Sequence, residues 1–430
     1  MSESNLPEFF TVRSRFESLP IPDVAAAVHA ALDESSFARR ARPGQRVAVA
    51  VGSRGIANLA TIVAATVAYL KRCRTAPRVI PAMGSHGGAT AAGQAAVLAS
   101  LGVTEESVGC PIEPSMTTDV LSTLDRGDDD PLPIHGSRVA RESDHVVIIN
   151  RVKPHTRLVG GLQSGLCKML MIGLGKRDGA EAYHRLFPTV DYRLESVARH
   201  VVPEILRTIP VTLGLAVVED PFEQTSLIEA IEPGQFLTRE PELLRLAEGR
   251  MPKLPFDRAD LLIIDQIGKE ISGSGMDTNV VGRKANDKAA APDEWPKIRH
   301  IYVRDLSRQT AGNATGIGIA EFCHSRIVRQ MDVDKTRINC LTSNHVTAAA
   351  VPVHYPTDRE ALGVALTQSL SPDPRRARWM WIPDTLRIAE VRCSSAYLAE
   401  ADRRDDLTRI DEPQPLRFDP VGDLASTRDP

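Results

Sequence analysis

The stretches RVAVAVGSRG (46–55) and RVIPAMGSHGGAT (78–90) decide the fold that this sequence predicts. In each stretch a short β-branched run breaks into a glycine-containing loop, and apolar residues at helical spacing follow that loop. The order strand, loop, helix occurs twice, which predicts parallel strands joined by right-handed crossovers. Ligands of such sheets bind in the loops beyond the carboxyl ends of the strands, where both glycine-containing loops are expected to lie.

The rest of the chain extends this pattern into two domains. Its 430 residues exceed the roughly 250–300 residues that one core supports. Further strands are predicted in the stretches 144–156, 211–220, 260–279, 299–306 and 386–393, and a polar, proline-bearing stretch at 247–257 predicts a hinge. We therefore expect an α/β protein of two α/β domains with mostly parallel sheets and an active-site cleft between them.

The predicted boundaries follow from these stretches. Residues 1–252 are expected to form an N-terminal domain that binds the cofactor and carries the catalytic residues, and residues 253–401 a C-terminal α/β domain. A charged, proline-rich tail at 402–430 is expected to be loosely held or to pack back on the N-terminal domain.

The composition argues against several classes of function. The net charge of −3 offers no basic surface for a nucleic acid, and no apolar stretch approaches the roughly 18 residues of a membrane span. The first residues lack a basic region followed by an apolar one, so no signal peptide is predicted. The six cysteines are scattered without a CxxC pair, which argues against a disulfide scaffold or a cysteine–zinc site and fits a reducing cytoplasm.

Two loops after predicted strands carry candidate functional side chains. Ser53 and Arg54 end the first strand, and the Arg54 guanidinium can hold a carboxylate or phosphate, or can form a surface salt bridge. His86 stands in the loop 84–88, Gly-Ser-His-Gly-Gly, whose glycines allow a sharp turn and leave the imidazole open to a ligand. A helix follows this loop, so phosphate can bind at its N-terminus, although no Walker A lysine closes the loop.

Later segments add further candidates. A proline stiffens the chain before His155, which favours an acid or base, although a capping or salt-bridged histidine explains the pattern equally well. Lys168 is flanked by apolar residues and is either nucleophilic or extended toward solvent, and His184 is either a ligand or a packing residue. Gln266 and Lys269 end the first strand of the second domain, where a salt bridge is the alternative for Lys269.

In this order the residues resemble the motifs of the lactate racemase family, whose members use a nickel-pincer nucleotide. The resemblance covers most of the chain, from about Arg46 to Arg392. The family motifs are an arginine-bearing loop, a Gly-x-His loop, a Pro-His pair, a Ser-Gly stretch with a lysine, a histidine 16 residues beyond that lysine, and Gln-x-x-Lys. The matching residues are Arg54, His86, Pro154, His155, Ser164, Gly165, Lys168, His184 (168 + 16 = 184), Gln266 and Lys269.

The resemblance implies a role for each residue. Lys168 would bind the cofactor, pyridinium-3,5-bisthiocarboxylic acid mononucleotide, as a thioamide, and His184 would be the protein ligand of its nickel. His86 and His155 would be the pair of catalytic acid/bases. The residues implied in binding are Ser53, Arg54, Ser164 and Gly165 for the cofactor and Arg54, Gln266 and Lys269 for the substrate.

The implied activity is inversion of the C2 centre of a 2-hydroxy acid. Removing a hydride from C2 avoids a carbanion beside a carboxylate; the cofactor takes the hydride, and a histidine serves each face of the planar intermediate. The implied partners are the small-molecule substrate and the cofactor-synthesis proteins. One alternative is a conventional nicotinamide-dependent oxidoreductase, although GxGxxG is absent after the first strand. Another is a non-catalytic homologue that binds a nucleotide or a sugar acid.

Three departures from the lactate-specific pattern bear on the substrate. Family members carry Asp-Gly-Thr-Arg-Pro where this chain has Val-Gly-Ser-Arg-Gly at 51–55. A few extra residues separate His155 from Lys168, and Gly-Leu-Cys at 165–167 replaces the Gly-Gly before the lysine. The predicted substrate is therefore a 2-hydroxy acid larger than lactate, such as a sugar acid or a branched or aromatic hydroxy acid.

Overall fold

A computed structural model describes residues 6–53, 55–125, 127, 131–370 and 372–425. Arg54, a candidate for binding cofactor and substrate, lies outside the described residues. The chain divides into two compact units, which we call the N-terminal unit (Glu17–Met251) and the C-terminal unit (Met1–Phe16 with Pro252–Pro430). Within the described ranges, none of the helices has the length and apolar character needed to cross a membrane.

Helices and strands alternate along most of the chain. The strands are β1 (Phe9–Ser14), β2 (Arg46–Val51), β3 (Ala76–Pro81), β4 (Thr118–Leu124), β5 (Leu132–Ser137), β6 (His145–Arg151), β7 (Val211–Glu219), β8 (Thr225–Ile231), β9 (Arg258–Ile267), β10 (Lys297–Leu306), β11 (Phe322–His324), β12 (Val353–Tyr355), β13 (Trp379–Ile382), β14 (Glu390–Ser394) and β15 (Leu407–Arg409). The helices are α1 (Val24–Glu34), α2 (Phe37–Arg40), α3 (Leu59–Arg72), α4 (Ala91–Ser100), α5 (Glu105–Val108), α6 (Arg138–Arg141), α7 (Leu166–Lys168), α8 (Lys176–Leu186), α9 (Leu194–Thr208), α10 (Phe236–Arg250), α11 (Thr278–Val281), α12 (Ser325–Gln330), α13 (Val333–Thr342), α14 (Asp358–Thr367) and α15 (Leu398–Ala401). A π-helical segment, Met169–Gly173, follows α7 directly.

The sheet of the N-terminal unit has the strand order β3-β2-β6-β7-β8. The first four strands are parallel and β8 is antiparallel to β7. The register pairs Val51 at the end of β2 with Pro81 in β3 and with Ile149 in β6. The carboxyl ends of these three strands therefore lie at one edge, and the loops that follow them emerge side by side.

Alternate side chains of β2 pack into separate apolar cores, as expected for a strand covered on both faces. Val47, Val49 and Val51 are fully buried in the core that contains much of α3. Ala48 and Ala50 are fully buried in the other core, which contains residues of the π-helical segment. The small alanine side chains let that segment approach the sheet closely.

The sheet of the C-terminal unit has the order β12-β11-β10-β9-β13-β14-β1-β15. The strands from β12 to β13 are parallel, and the last three are joined by antiparallel pairs. Predicted strands in 260–279, 299–306 and 386–393 correspond to β9, β10 and β14. The prediction of an α/β protein with two mostly parallel sheets is confirmed.

The first strand, β1, belongs to the C-terminal unit, whereas residues 1–252 were expected to form one domain. Phe9 pairs with Ser394 in the antiparallel register of β14, and Val12 is fully buried. The partner strand lies hundreds of residues away in sequence, so no local pattern reveals this pairing. The other boundary between the units falls between Met251 and Pro252.

The tail also packs on the C-terminal unit, which corrects the expectation that residues 402–430 are loosely held or return to the N-terminal domain. Leu416 and Leu424 are buried in a core that includes Trp379 and Trp381. The backbone N–H of Leu424 donates to the Asp358 carboxylate at 2.8 Å, so the tail is held by polar as well as apolar contacts.

A buried ion-pair network lies beneath this tail. His324, Asp358 and Asp423 are close enough together to resemble a set of metal ligands. Arg304 donates to the fully buried Asp358 at 2.7 Å, and Arg326 pairs with Asp423. Because each carboxylate already has a guanidinium partner, we interpret the cluster as structural.

Replacing Asp358 with alanine should destabilise the C-terminal unit by roughly 3–5 kcal/mol, because Arg304 would keep only Asp265 as a carboxylate partner and the N–H of Leu424 would lose its acceptor. The three tryptophans of the chain all lie in this unit, so urea unfolding followed by tryptophan fluorescence reports on it. Asp334→Ala, which removes an exposed partner of Arg337, is the control and should change little. Equal unfolding midpoints for the two variants would contradict the anchoring role.

Candidate active site

Three of the candidate residues follow neighbouring parallel strands at one edge of the N-terminal sheet. Ser53 follows β2, His86 follows β3 and His155 follows β6, and each side chain is half-buried. The Ser53 hydroxyl hydrogen-bonds to Nδ1 of His86. Because a hydroxyl can donate or accept, this bond suits a ring with or without a proton on Nδ1.

The backbone of the His86 loop leaves no room for a side chain at Gly87. Gly87 has a φ of +65°, and a Cβ built on it would lie 2.5 Å from the carbonyl carbon of Gly93. Thr90 then caps α4, since its hydroxyl accepts the N–H of Gly93 at 3.0 Å. The loop therefore has the sharp, glycine-dependent turn that its sequence predicts.

Lys168 stands at the end of α7, immediately before the π-helical segment. Such segments are rare and occur frequently at functional sites. This one contacts the loops after β2 and β3: a Cβ on Gly52 would lie 3.2 Å from Cε of Met169, and the N–H of Gly84 donates to the carbonyl of Gly173 at 3.4 Å. The half-buried Lys168 therefore belongs to the same sheet edge as these loops.

Glu240 of α10 holds the start of the Lys168 segment. Its carboxylate accepts the backbone N–H of Cys167 at 2.9 Å. It also fills the space beside Gly165, where a Cβ would lie 2.5 Å from Cδ of Glu240. On the other side, Nδ2 of Asn150 donates to the carbonyl of Gly165 at 2.6 Å. Gly165 is therefore required by close packing, in addition to the cofactor role that the resemblance implies.

The environment of Glu240 is unusual for a carboxyl group. Burial raises the pKa of Glu240 to about 7. One carboxylate oxygen has no hydrogen-bond partner among the described residues. The sequence offers no signal for this residue, because a glutamate in an amphipathic helix is normally exposed.

Lys176, at the start of α8, is a second buried group that sequence reasoning missed. Its Nζ donates to the carbonyl of Pro81 and contacts Oε1 of Gln94 at 3.5 Å. Nε2 of Gln94 in turn donates to the carbonyl of Gly84 at 2.8 Å. Burial lowers the pKa of Lys176 to about 8. This chain of contacts links the helix that carries His184 to the loop that carries His86.

The His155 ring is held by its own turn. Its Nδ1 accepts the backbone N–H of Arg157 at 3.0 Å and that of Leu158 at 3.1 Å. Its backbone N–H donates to Oε1 of the buried Gln163 at 2.8 Å. The stiff loop predicted from sequence is therefore reinforced by three hydrogen bonds that orient the imidazole.

The remaining candidates divide between the units. His184 lies half-buried on α8, and Ser164 is bridged to the loop that carries His155. Gln266 and Lys269 stand at and just beyond the end of β9 in the C-terminal unit. There Nζ of Lys269 donates to the carbonyl of Gly273, in its own loop, at 2.6 Å.

The buried carboxyl group of Glu240 should make stability depend on pH. Its folded-state pKa of about 7 exceeds the ordinary 4.5, so the folded state binds more protons and stability falls as pH rises through this window. Between pH 4 and pH 8, the free energy of unfolding of the wild type should therefore fall by about 3 kcal/mol more than that of Glu240→Gln, which has no carboxyl group to titrate at this position. Urea unfolding followed by circular dichroism at both pH values measures this difference.

The control for this experiment is Glu242→Gln on the same helix. Glu242 is exposed and pairs with Arg239, so its removal should leave the pH dependence of the wild type in place. If Glu240→Gln and Glu242→Gln show the same pH dependence, the Glu240 carboxyl group does not titrate as the structure indicates.

Two solved structures share this fold. The structure of the lactate racemase apoprotein from Thermoanaerobacterium thermosaccharolyticum matches with a TM-score of 0.54 and 13% sequence identity, covering 90% of this chain and 95% of that chain. A structural-genomics crystal structure of a protein from Thermotoga maritima matches with a TM-score of 0.50 and 13% identity, covering 87% of this chain and 99% of that chain. No family model and no curated protein matches this sequence. The chain therefore has a lactate racemase-like fold.

Proposed function

We propose that this chain is a racemase or epimerase of a 2-hydroxy acid that works with a nickel-pincer nucleotide. The observation that carries the proposal is the meeting of Ser53, His86 and the Lys168 segment at one sheet edge, in a chain with a lactate racemase-like fold. His155 follows the adjacent strand at the same edge. The interval of 16 residues between Lys168 and His184 supports the same assignment.

The residues assigned to the cofactor fit its chemistry. Lys168 offers an amine among buried apolar side chains, which suits a thioamide bond, and His184 offers an imidazole, a ligand that nickel accepts. Both side chains are half-buried. Gly55 and Gly88 are exposed, and a Cβ on either would meet nothing within 4 Å, so no neighbouring group covers these two positions in the loops of the candidate residues.

When bound, the cofactor would supply an acceptor for the hydride that leaves C2 of the substrate. The chain would manage the hydroxyl proton and the orientation of the substrate. His86, whose ring is oriented by Ser53, would exchange the hydroxyl proton. Arg54 would bind the carboxylate through paired hydrogen bonds, and the resemblance alone assigns Gln266 and Lys269 to the substrate.

The proposed substrate is larger than lactate. The acidic residue and the proline of the lactate-specific first loop are replaced here by Val51 and Gly55. An acidic residue is therefore missing from the end of β2, and a stiff proline is missing from the loop that follows it. A sugar acid or a branched or aromatic 2-hydroxy acid is therefore proposed as the substrate class.

The cofactor assignment predicts a covalent adduct on one lysine. Co-expression with the cofactor-synthesis proteins should yield a chain with added mass on the Lys168 peptide and near-stoichiometric nickel, measured by mass spectrometry and metal analysis. Lys168→Ala should abolish the adduct. His184→Ala should keep the adduct and lower the nickel content, because the protein ligand is removed while the donors of the cofactor remain. Lys253→Ala, an exposed lysine, is the control and should keep both.

An unmodified Lys168 together with absent nickel would overturn the pincer mechanism for this chain. Binding assays with nucleotides and sugar acids, and with nicotinamide cofactors, would then test the two alternative functions. An adduct on another lysine would show that the site assignment is wrong while the cofactor is right.

The catalytic assignment predicts loss of turnover without loss of metal. His86→Ala should lower kcat/KM by about 10²–10⁴, since a positioned acid/base group contributes a factor of this size. Loss of the positioned imidazole in His155→Ala should lower kcat/KM by about 10² or more. Turnover is measured as loss of optical activity across a panel of 2-hydroxy acids, with nickel content determined for each variant. Full activity in both variants would show that neither imidazole takes part.

A further inference from the structure

The two candidate acid/base histidines differ in the partners of their Nδ1 atoms. Nδ1 of His155 faces two backbone donors, the N–H groups of Arg157 and Leu158 at 3.0 and 3.1 Å. Nδ1 of His86 faces the hydroxyl of Ser53. A backbone N–H can only donate, whereas a hydroxyl can donate or accept. Backbone donors therefore constrain the protonation of the first ring, whereas the Ser53 hydroxyl suits the second ring with or without a proton on Nδ1.

This constraint selects one tautomer of His155. A neutral imidazole carries a proton on one nitrogen and a lone pair on the other. Since the Nδ1 lone pair accepts two N–H groups, the proton must lie on Nε2. Moving the proton to Nδ1 would break both hydrogen bonds and bring three N–H groups together, an arrangement that folded proteins avoid. Nε2 of His155 is therefore a hydrogen-bond donor, and a poor acceptor of protons.

We infer that the two histidines have unequal roles: His86 alone exchanges the substrate's hydroxyl proton, while His155 donates a fixed hydrogen bond through Nε2 to an oxygen of the bound 2-hydroxy acid. This inference rests on the proposed function. When the substrate is oxidised, the C2–H bond breaks and its hydride would go to the cofactor of the proposed function, while the O–H bond breaks and its proton forms an N–H bond on His86. On reduction the same imidazole returns the proton. The substrate oxygen then stays at His86, while the carboxylate leaves Arg54 and exchanges places with the C3 substituent of the planar 2-keto intermediate.

Substitution by glutamine or asparagine separates two properties of His155, the hydrogen-bond acceptor at Nδ1 and the hydrogen-bond donor at Nε2. In His155→Gln the side-chain amide nitrogen can reach the position of Nε2 and keeps a donor there. In His155→Asn the shorter amide oxygen can accept the turn's N–H groups, as asparagine does in local turns, but no donor reaches the substrate. His86→Gln removes the proton acceptor of the other loop. His200→Gln, on the exposed side of α9, is the control.

These variants are compared as nickel-loaded enzymes. His155→Gln should retain kcat within about tenfold of the wild type, whereas His86→Gln and His155→Asn should each lose about a hundredfold or more. His200→Gln should match the wild type. A loss in His155→Gln as large as that in His86→Gln would overturn the inference, because His155 would then have to exchange a proton.

The tautomer is measured without the cofactor or turnover. In the full chain labelled with ¹⁵N-histidine, the ring resonances that disappear in His155→Gln are assigned to His155, and their ¹⁵N shifts identify the protonated nitrogen. A proton on Nε2 at neutral pH is expected, and a proton on Nδ1 would overturn the inference. If no 2-hydroxy acid is turned over but the Nε2–H tautomer is found, the proposed function fails while the constraint on His155 stands.

Discussion

The candidate site depends on one contact. The π-helical segment Met169–Gly173, which follows Lys168 directly, packs against the loops after β2 and β3. Parallel pairing of β2, β3 and β6 brings three loops to one edge, and the buried alanines of β2 leave space for the segment on one face. Gly52 and Gly84 then meet the segment through close packing and a backbone hydrogen bond. Without this contact the lysine and His86 would belong to separate parts of the sheet.

Buried charges are treated differently in the two units. Beneath the tail, Asp358 is paired with Arg304, so burial of each charge is compensated. Near the candidate site, burial dominates the pKa values of Glu240 and Lys176, which move toward neutrality. Groups perturbed in this way concentrate at functional sites. Here both hold the backbone of segments that carry candidate residues, one beside Lys168 and the other beside the loop of His86.

Local turns decide the chemistry of the histidines as much as their positions do. Two imidazoles at one sheet edge suggest a symmetric pair for the two faces of a planar intermediate. The partners of Nδ1 break that symmetry. The Ser53 hydroxyl can donate to or accept from Nδ1 of His86, whereas two backbone N–H groups can only donate to Nδ1 of His155 and so keep it without a proton. Racemisation by such a site would depend on reorientation of the intermediate more than on a second base.

The sequence by itself determined the α/β class, seven of the fifteen strands that the structure describes and the glycine-dependent turn before α4. These features depend on local patterns, namely β-branched runs, helical periodicity and glycines, which act over a few residues. The order of His86, His155, Lys168 and His184 is also a property of the sequence alone, and it supports the resemblance to lactate racemases.

Only the tertiary structure decided the placement of β1 and the tail in the C-terminal unit, because the strand partner of β1 lies hundreds of residues away and the tail packs on residues outside its own segment. The same holds for Glu240 beside Gly165, a contact that joins α10 to the residues before α7. The Nε2–H tautomer of His155 depends on the direction of two backbone N–H groups, which composition and spacing do not encode. Each of these features arises from the three-dimensional meeting of groups that carry no distinguishing signal in the sequence.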